Sequence, residues 1–337
     1  MRVVITGGGG FLGQMLARTL IARVGLSIGS HANPGLTELV LLDQSRPSSR
    51  IDDDRVSYAT GDVCDSALLD RVLAPGADAV FHLAAVVSAG AEADFDLGMR
   101  VNVDGTRAVL EACRRQAQPP RLVFTSSVAA FGGELPEVVN DSTAATPQSS
   151  YGTQKVIGEL LAADYTRKGF VDGRSVRLPT IVVRPGKPNR AASGFMSGIL
   201  REPLNGQPAV CPVPPDTEMW ILSPERAVDA LIHAMELPAA AWGWNRTLNA
   251  PGITVSVADA LDALERIAGR DTAARVRVER DPEIERIVLG WPAKFVTERA
   301  ERLGFGADSG IEEIIRAHMR TLANQQSSLR YNSNPDS

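Results

Sequence analysis

Tyr151 and Lys155 are the pair in this chain whose types and spacing most readily do chemistry. They stand four apart in Tyr151-Gly152-Thr153-Gln154-Lys155, at the start of a stretch with helical spacing over 150–168. Residues four apart share one face of a helix. A phenol beside an ammonium is biased toward phenolate. A tyrosine tuned in this way can take a proton from an alcohol near neutral pH, where an ordinary one cannot. Ser127 closes the run Arg121–Ser127 (RLVFTSS), and its hydroxyl could hold the reacting oxygen in place. By itself the pair is also a common surface arrangement, worth roughly 0.2–0.5 kcal/mol. Its meaning depends on what surrounds it.

The second constellation is Thr6-Gly7-Gly8-Gly9-Gly10-Phe11-Leu12-Gly13, which follows a first apolar run and opens an amphipathic stretch over 10–23. Gly7, Gly10 and Gly13 have the GxxGxxG spacing. Glycine lacks the Cβ, so the turn can be tight and backbone can approach a pyrophosphate closely. The helix start adds N–H groups and a positive dipole end. Phe11 and Leu12 belong to the same cradle. Asp43 ends the second apolar run, where an acid would accept hydrogen bonds from ribose hydroxyls and repel a 2′-phosphate. That reading favours NAD over NADP, although Arg46 nearby leaves room for the latter. The interval from Gly13 to Asp43 is longer than the usual roughly 20 residues, and the stretch 25–36 reads as the insertion responsible. Asp62 could bond an adenine amino group with Val63 packed on the ring. A turn-forming aspartate is the plain alternative. Leu83, Ala84 and Ala85 follow His82, and small residues there let a cofactor lie over a sheet. His82 itself reads as a packed, satisfied histidine.

These residues need elements to hold them. Arg2–Thr6, Glu38–Asp43, 56–62, 78–85, Arg121–Ser127 and 175–183 read as strands, with helical stretches between them near 66–74, 92–116 and 150–168. Continuous apolar runs suit strands buried on both faces. The expected fold class is therefore α/β, a doubly wound parallel sheet of Rossmann type with a smaller C-terminal α/β substrate lobe. A length of 337 residues is about twice the roughly 150 of a common domain. The expected division is a dinucleotide domain over 1–183, a substrate lobe over 184–325 that interleaves with it, and a flexible tail over 326–337. Residues 184–219 are rich in Pro, Gly and Asn and read as irregular. Ser223-Pro224 reads as a helix start, and Ser256 with Asp259 as a capping box.

A net charge of −5 gives no basic footprint for nucleic acid or an anionic membrane surface. Cys64, Cys113 and Cys211 are odd in number and widely spaced, and His31, His82, His233 and His318 are scattered, so neither a disulfide framework nor a metal site is expected. No apolar run approaches the roughly 20 residues of a membrane span. The first core strand begins at residue 2 with no basic, apolar leader, so the cytoplasm is the expected location.

Taken together, TGGGGFLG at 6–13, HLAA at 82–85, VNVDGT at 101–106, TSS at 125–127 and YGTQK at 151–155 resemble the extended short-chain dehydrogenase/reductases, also called the NAD-dependent epimerase/dehydratase family. The family layout spans nearly the whole chain. The resemblance implies NAD as cofactor, Tyr151 as base, Lys155 on the nicotinamide ribose and Ser127 as the third catalytic residue. It implies Ser126 and Asn102 on the cofactor side, and Pro179, Thr180 and Ile181 against the nicotinamide. It also implies a homodimer through the helices at 92–116 and 150–168. Within the family, the segments 85–88, 177–180, 183–189, 191–194 and 201–204 are most similar to dehydrogenases that oxidise C2 of a four-carbon sugar acid. Such a substrate needs a cation for its carboxylate and polar groups for its hydroxyls. Ser88, Arg184, Lys187, Asn189 and Ser193 are the candidates, with Arg184 able to grip a carboxylate through two hydrogen bonds. Loop charges facing water are the alternative for Arg184 and Lys187. Rival readings are a nucleotide-sugar epimerase that retains NAD, and a non-catalytic dinucleotide-binding regulator. A dehydratase fits less well, because Val128-Ala129 stands where an Asp-Glu pair is common.

Overall fold

The computed structural model describes residues 1–23, 25–28, 35–47, 49–186 and 192–332, with side chains through 324. Its main body is a seven-stranded sheet built from β1 (Arg2–Thr6), β2 (Glu38–Asp43), β3 (Val56–Thr60), β4 (Ala79–His82), β5 (Arg121–Ser127), β6 (Asp172–Leu178) and, much later in the chain, β10 (Thr247–Asn249). The spatial order is β10-β6-β5-β4-β1-β2-β3, and each pair is parallel. Val3, Val4 and Ile5 of β1 and Val80 and Phe81 of β4 are all 0–1% exposed, as strands covered on both faces must be. One face packs on the helices Phe11–Ala22 and Pro224–Glu236, through Leu16, Leu20, Val228 and Leu231. The other packs on Ser66–Leu73 and Gly105–Arg114, through Leu69, Val72, Val109 and Leu110. The strand order reverses between β1 and β4, which opens a crevice at their carboxyl ends.

After β6 the chain leaves this sheet. Pro179 has no N–H to extend the ladder, so the strand expected to run to 183 stops at Leu178. The short β7 (Thr180–Ile181) then pairs with β9 (Glu218–Leu222), which also carries β11 (Ile253–Ser256). A third, two-stranded sheet joins β8 (Ala209–Cys211) to β12 (Val276–Val278). The stretch 184–219 expected to be irregular contains β8 and a helix, Gly194–Leu204. Met196, Ile199, Leu200 and Pro203 form its buried face, a helical spacing that Gly198 and Pro203 mask in the sequence. This helix, Met219, Ile221, Leu264 and Ile314 form the core of a second lobe. The chain then re-enters the main body through Pro224–Glu236 and β10. Arg174 and Arg121 tie that return by donating to the carbonyl of Met235 at the helix end, while Arg174 and Arg246 share Asp172.

The expected caps are present. Ser223 caps the helix that Pro224 begins, and Ser256 and Asp259 form a capping box. The expected single helix over 92–116 is four pieces: Ser88–Ala93, Phe95–Gly98, a π-helical turn Met99–Asp104, and Gly105–Arg114. Asp94 makes the break by leaving helical φ/ψ and accepting from the Leu97 N–H. The last helix, Ile311–Asn332, enters the polar end expected to fray. Among the described residues no helix is long and apolar enough to cross a membrane.

Candidate active site

A cleft of about 610 Å³ lies over the carboxyl ends of the central strands and reaches between the two lobes. Its first wall is the glycine turn. Gly7 has φ +72, and a Cβ there would stand 2.7 Å from the Ala84 nitrogen. A Cβ on Gly13 would stand 2.3 Å from the Gly7 carbonyl oxygen. Only glycine allows β1, the turn and the helix to close on each other at these two points. Gly10 begins the helix without a side-chain cap, so no side chain competes for the N–H groups of the first turn. Gly7, Gly10, Phe11, Leu12 and Gly13 all line the cleft. A backbone cradle that any side chain would fill, at a helix N-terminus, fits a pyrophosphate. Asp43 lies beside it at the end of β2, accepting from the N–H groups of Gly9 at 2.9 Å and Ser45 at 3.3 Å.

Farther along, Asp62 and Val63 line the same wall. Asp62 accepts from the Cys64 N–H at 2.9 Å and pairs with Arg100. The Cys64 N–H and the Arg100 guanidinium together hold its carboxyl below the usual range. Leu83, Ala84 and Ala85 form the floor. β4 ends at His82 instead of 85, which frees these three residues to bend across the strand ends. His82 is packed as expected, between the hydroxyls of Thr6 at 2.6 Å and Thr106 at 2.9 Å. Burial, with Lys155 adding to it, pulls its pKa down to about 3, so it is neutral. Asn102 is not in the cleft wall. It clamps the floor from behind, accepting from the Val86 N–H at 2.8 Å and donating to the Val86 carbonyl at 3.0 Å and to Gln154 at 2.7 Å. Both amide hydrogens are used, so its part is to hold the floor.

Tyr151, Lys155, Ser126 and Ser127 all line the same cleft. Ser149 caps the helix Ser150–Arg167 by accepting from the Gly152 N–H, which fixes Tyr151 in the first turn. Lys155 is 3% exposed. Its ammonium donates to the Thr125 carbonyl at 2.9 Å, 4.8 Å from the centre of the Phe124 ring and 5.5 Å from that of Tyr151. Ser127 ends β5, with its oxygen accepting from the Ala129 N–H at 3.1 Å. The electrostatics differ from the sequence expectation. Burial pushes the Tyr151 phenol up to about 12, and the cation that offsets this is Arg184 and not Lys155. Burial likewise pulls Lys155 down to about 8, against the pull of Glu159. Desolvation prevails at both groups, because the charged form of each is removed from water.

The far end belongs to the second lobe. Pro179, Thr180 and Ile181 line it at the crossing between the two sheets. Arg184 lies in the wall, held by donation to the Ile181 carbonyl at 3.0 Å and the Ser193 hydroxyl at 2.8 Å. Burial lowers its pKa, and the Tyr151 phenol opposes that change. Among the described residues no carboxylate pairs with it. Ser88 and Ser193 also face the cleft. Lys187 and Asn189 lie outside the described residues. Sequence reading did not assign Arg201, Glu218, Trp220, Trp291 or Pro292 to this wall. They come from β9 and the segments at 201 and 291–292, and only the run containing Arg201 carried any signal, through resemblance.

The NAD dependent epimerase/dehydratase family matches residues 3–265. A D-erythronate dehydrogenase of Cupriavidus necator is 54% identical over 95% of this chain and 98% of its own length. One of Haemophilus influenzae is 46% identical over 94% and 98%. Among solved structures, a nucleoside-diphosphate-sugar epimerase of Agrobacterium tumefaciens superposes with a TM-score of 0.90 at 42% identity, covering 95% of this chain and 94% of that one.

Proposed function

Because the chain belongs to the NAD dependent epimerase/dehydratase family, we propose that it is an NAD-dependent dehydrogenase that oxidises the C2 hydroxyl of a four-carbon sugar acid, D-erythronate, to 2-dehydro-D-erythronate. The observation that carries this reading is Arg184, a largely buried guanidinium with no carboxylate partner among the described residues, in the same cleft as Tyr151 and Ser127. An uncompensated cation in a desolvated wall favours an anionic ligand. A carboxylate matches the planar fork of arginine. Two relatives that match nearly end to end are named for D-erythronate.

The residues divide the work as follows. Gly7, Gly10 and Gly13 admit the dinucleotide phosphates, Asp43 takes the adenosine ribose, and Asp62 and Val63 take the adenine. Lys155 binds the second ribose, beside Pro179, Thr180 and Ile181. When bound, NAD supplies the hydride acceptor and a positive charge. Arg184 and Ser193 fix the substrate carboxylate and Ser88 a hydroxyl, which orients C2. Ser127 donates to the C2 oxygen, and Tyr151 removes its proton. A phenol near 12 is a poor base at neutral pH, so its activation calls for positive charge beyond that of Arg184, which oxidised NAD would supply. The exposed Phe95 and Leu160 lie on the helical segments expected to pair in a homodimer, which supports that assembly.

The test is to supply NAD or NADP with D-erythronate, L-threonate and related acids and to follow free reduced cofactor. The proposal expects NADH to accumulate in step with D-erythronate consumed. The similarity to a protein named as a nucleoside-diphosphate-sugar epimerase supports a second reading, in which the cofactor is retained. Conversion of a nucleotide sugar without release of NADH would favour that reading.

A further inference from the structure

Glu159 continues the stripe begun by Tyr151 and Lys155, one helical turn further along the same face. It is 3% exposed. Its carboxylate accepts from the Ser126 hydroxyl at 2.5 Å and from Arg177 twice, at 2.8 and 2.6 Å. Arg177 comes from β6, packs over the Phe131 ring with its guanidinium carbon 4.8 Å from the ring centre, and donates to Asn249 of β10 at 3.4 Å. One buried carboxylate thus joins the catalytic helix, the end of β5 and two further strands. A buried ion pair is weak evidence of stabilisation, since apolar residues of similar volume often serve as well. Its position suggests another use.

We propose that Glu159 is a positioning residue of the catalytic centre. Through Ser126 it fixes the end of β5, and with it Ser127 and the Thr125 carbonyl that holds Lys155. Its carboxylate, shared with Arg177, is carried one helical turn beyond Lys155 on the same face, so the two side chains are set by one element. This rests on the roles given above to Tyr151 and Lys155. The charged or titratable groups around Lys155 are consistent with it. On its own helix are Tyr151 and Glu159. His82 of β4 is neutral, and Arg177 of β6 is neutralised by Glu159. Glu159 is the group that opposes the downward pull of burial on Lys155.

The chain has four lysines, Lys155, Lys168, Lys187 and Lys294, so NMR of lysine labelled at Cε and Nζ resolves the titration of Lys155 directly, in the protein without cofactor or substrate. In Glu159→Gln, which keeps an acceptor for Ser126 but loses the charge, the Lys155 midpoint should fall by about one pH unit or more, a tenfold change in proton affinity. In the double variant Glu159→Gln/Arg177→Gln, which leaves no buried unpaired charge, it should fall by less but still measurably. The double variant decides the matter if the single one does not fold. With substrate, the alkaline limb of the kcat profile should move down by the same amount. A midpoint that stays at the wild-type value in a folded variant, with activity reduced equally at all pH values, would overturn the proposal. That outcome leaves the substrate assignment untouched, because the titration uses no substrate.

Discussion

The two ends of the cleft are built in different ways. The end we assign to the cofactor is built mainly of backbone: a glycine turn, a helix start and the bend at 83–85, all following closely on β1 and β4, with Asp43 and Asp62 at its edge. The end we propose for the substrate is side chains: Arg184, Ser193 and Arg201 of one segment meet Trp220 and Trp291 from two others. A backbone cradle recognises what every dinucleotide shares, and it tolerates almost no variation at Gly7 and Gly13. A side-chain wall can change its ligand by changing one residue. The family can therefore keep one cofactor and vary its chemistry, and the relatives carry names as different as D-erythronate dehydrogenase and nucleoside-diphosphate-sugar epimerase.

Four substitutions sharpen the comparison. The largest effect is expected where the two ends meet. Tyr151→Phe should lower kcat by about 10²–10⁴-fold, the usual contribution of a positioned acid–base group, with NAD affinity retained in a fluorescence titration. Next is the substrate end. Arg184→Met should reduce kcat/KM for D-erythronate by about 10²-fold, in line with the roughly 2–5 kcal/mol lost when a buried charged contact is truncated, again without loss of NAD binding. The cofactor end should respond in the opposite sense. Gly13→Ala places a Cβ against the Gly7 carbonyl, which is backbone and cannot swing aside. Calorimetry should show a stability loss of about 1–3 kcal/mol, and NAD binding should weaken. Equal losses of NAD binding in the Arg184 and Gly13 variants would break the division into two ends. The smallest effect is expected from Asp43→Asn, which removes the charge facing a 2′-phosphate. The ratio of kcat/KM for NAD over NADP should fall by about tenfold, roughly 1.4 kcal/mol.

The same division explains what the sequence made legible. Strands β1, β2 and β5 and the Tyr151 helix were readable because buried parallel strands are continuous apolar runs and the caps sit beside them. The glycine spacing fixed its own turn. The helix Gly194–Leu204 was not readable, because Pro203 and Gly198 lie within an otherwise regular apolar spacing. The pieces over 88–114 were not readable either, because a side-chain cap at Asp94 and a π-helical turn leave no mark on periodicity. The walls at Trp220 and Trp291 exist only after β9 and the segment near 291 have folded over the crevice. The offset of the Tyr151 phenol also escaped the sequence. Spacing shows that Lys155 is a neighbour, but only burial shows that desolvation prevails and that Arg184 is the cation acting on the phenol.

The most direct measurement is the ionisation of that phenol, read as tyrosinate absorbance in wild type minus Tyr151→Phe, with and without oxidised NAD. The folded-state pKa is raised above the ordinary 10, so the unliganded signal should appear only near pH 12. Bound NAD should move it to lower pH, because added positive charge favours phenolate. A signal already present near neutral pH without NAD, or one that NAD leaves unmoved while Tyr151→Phe still turns over D-erythronate at the wild-type rate, would contradict the account.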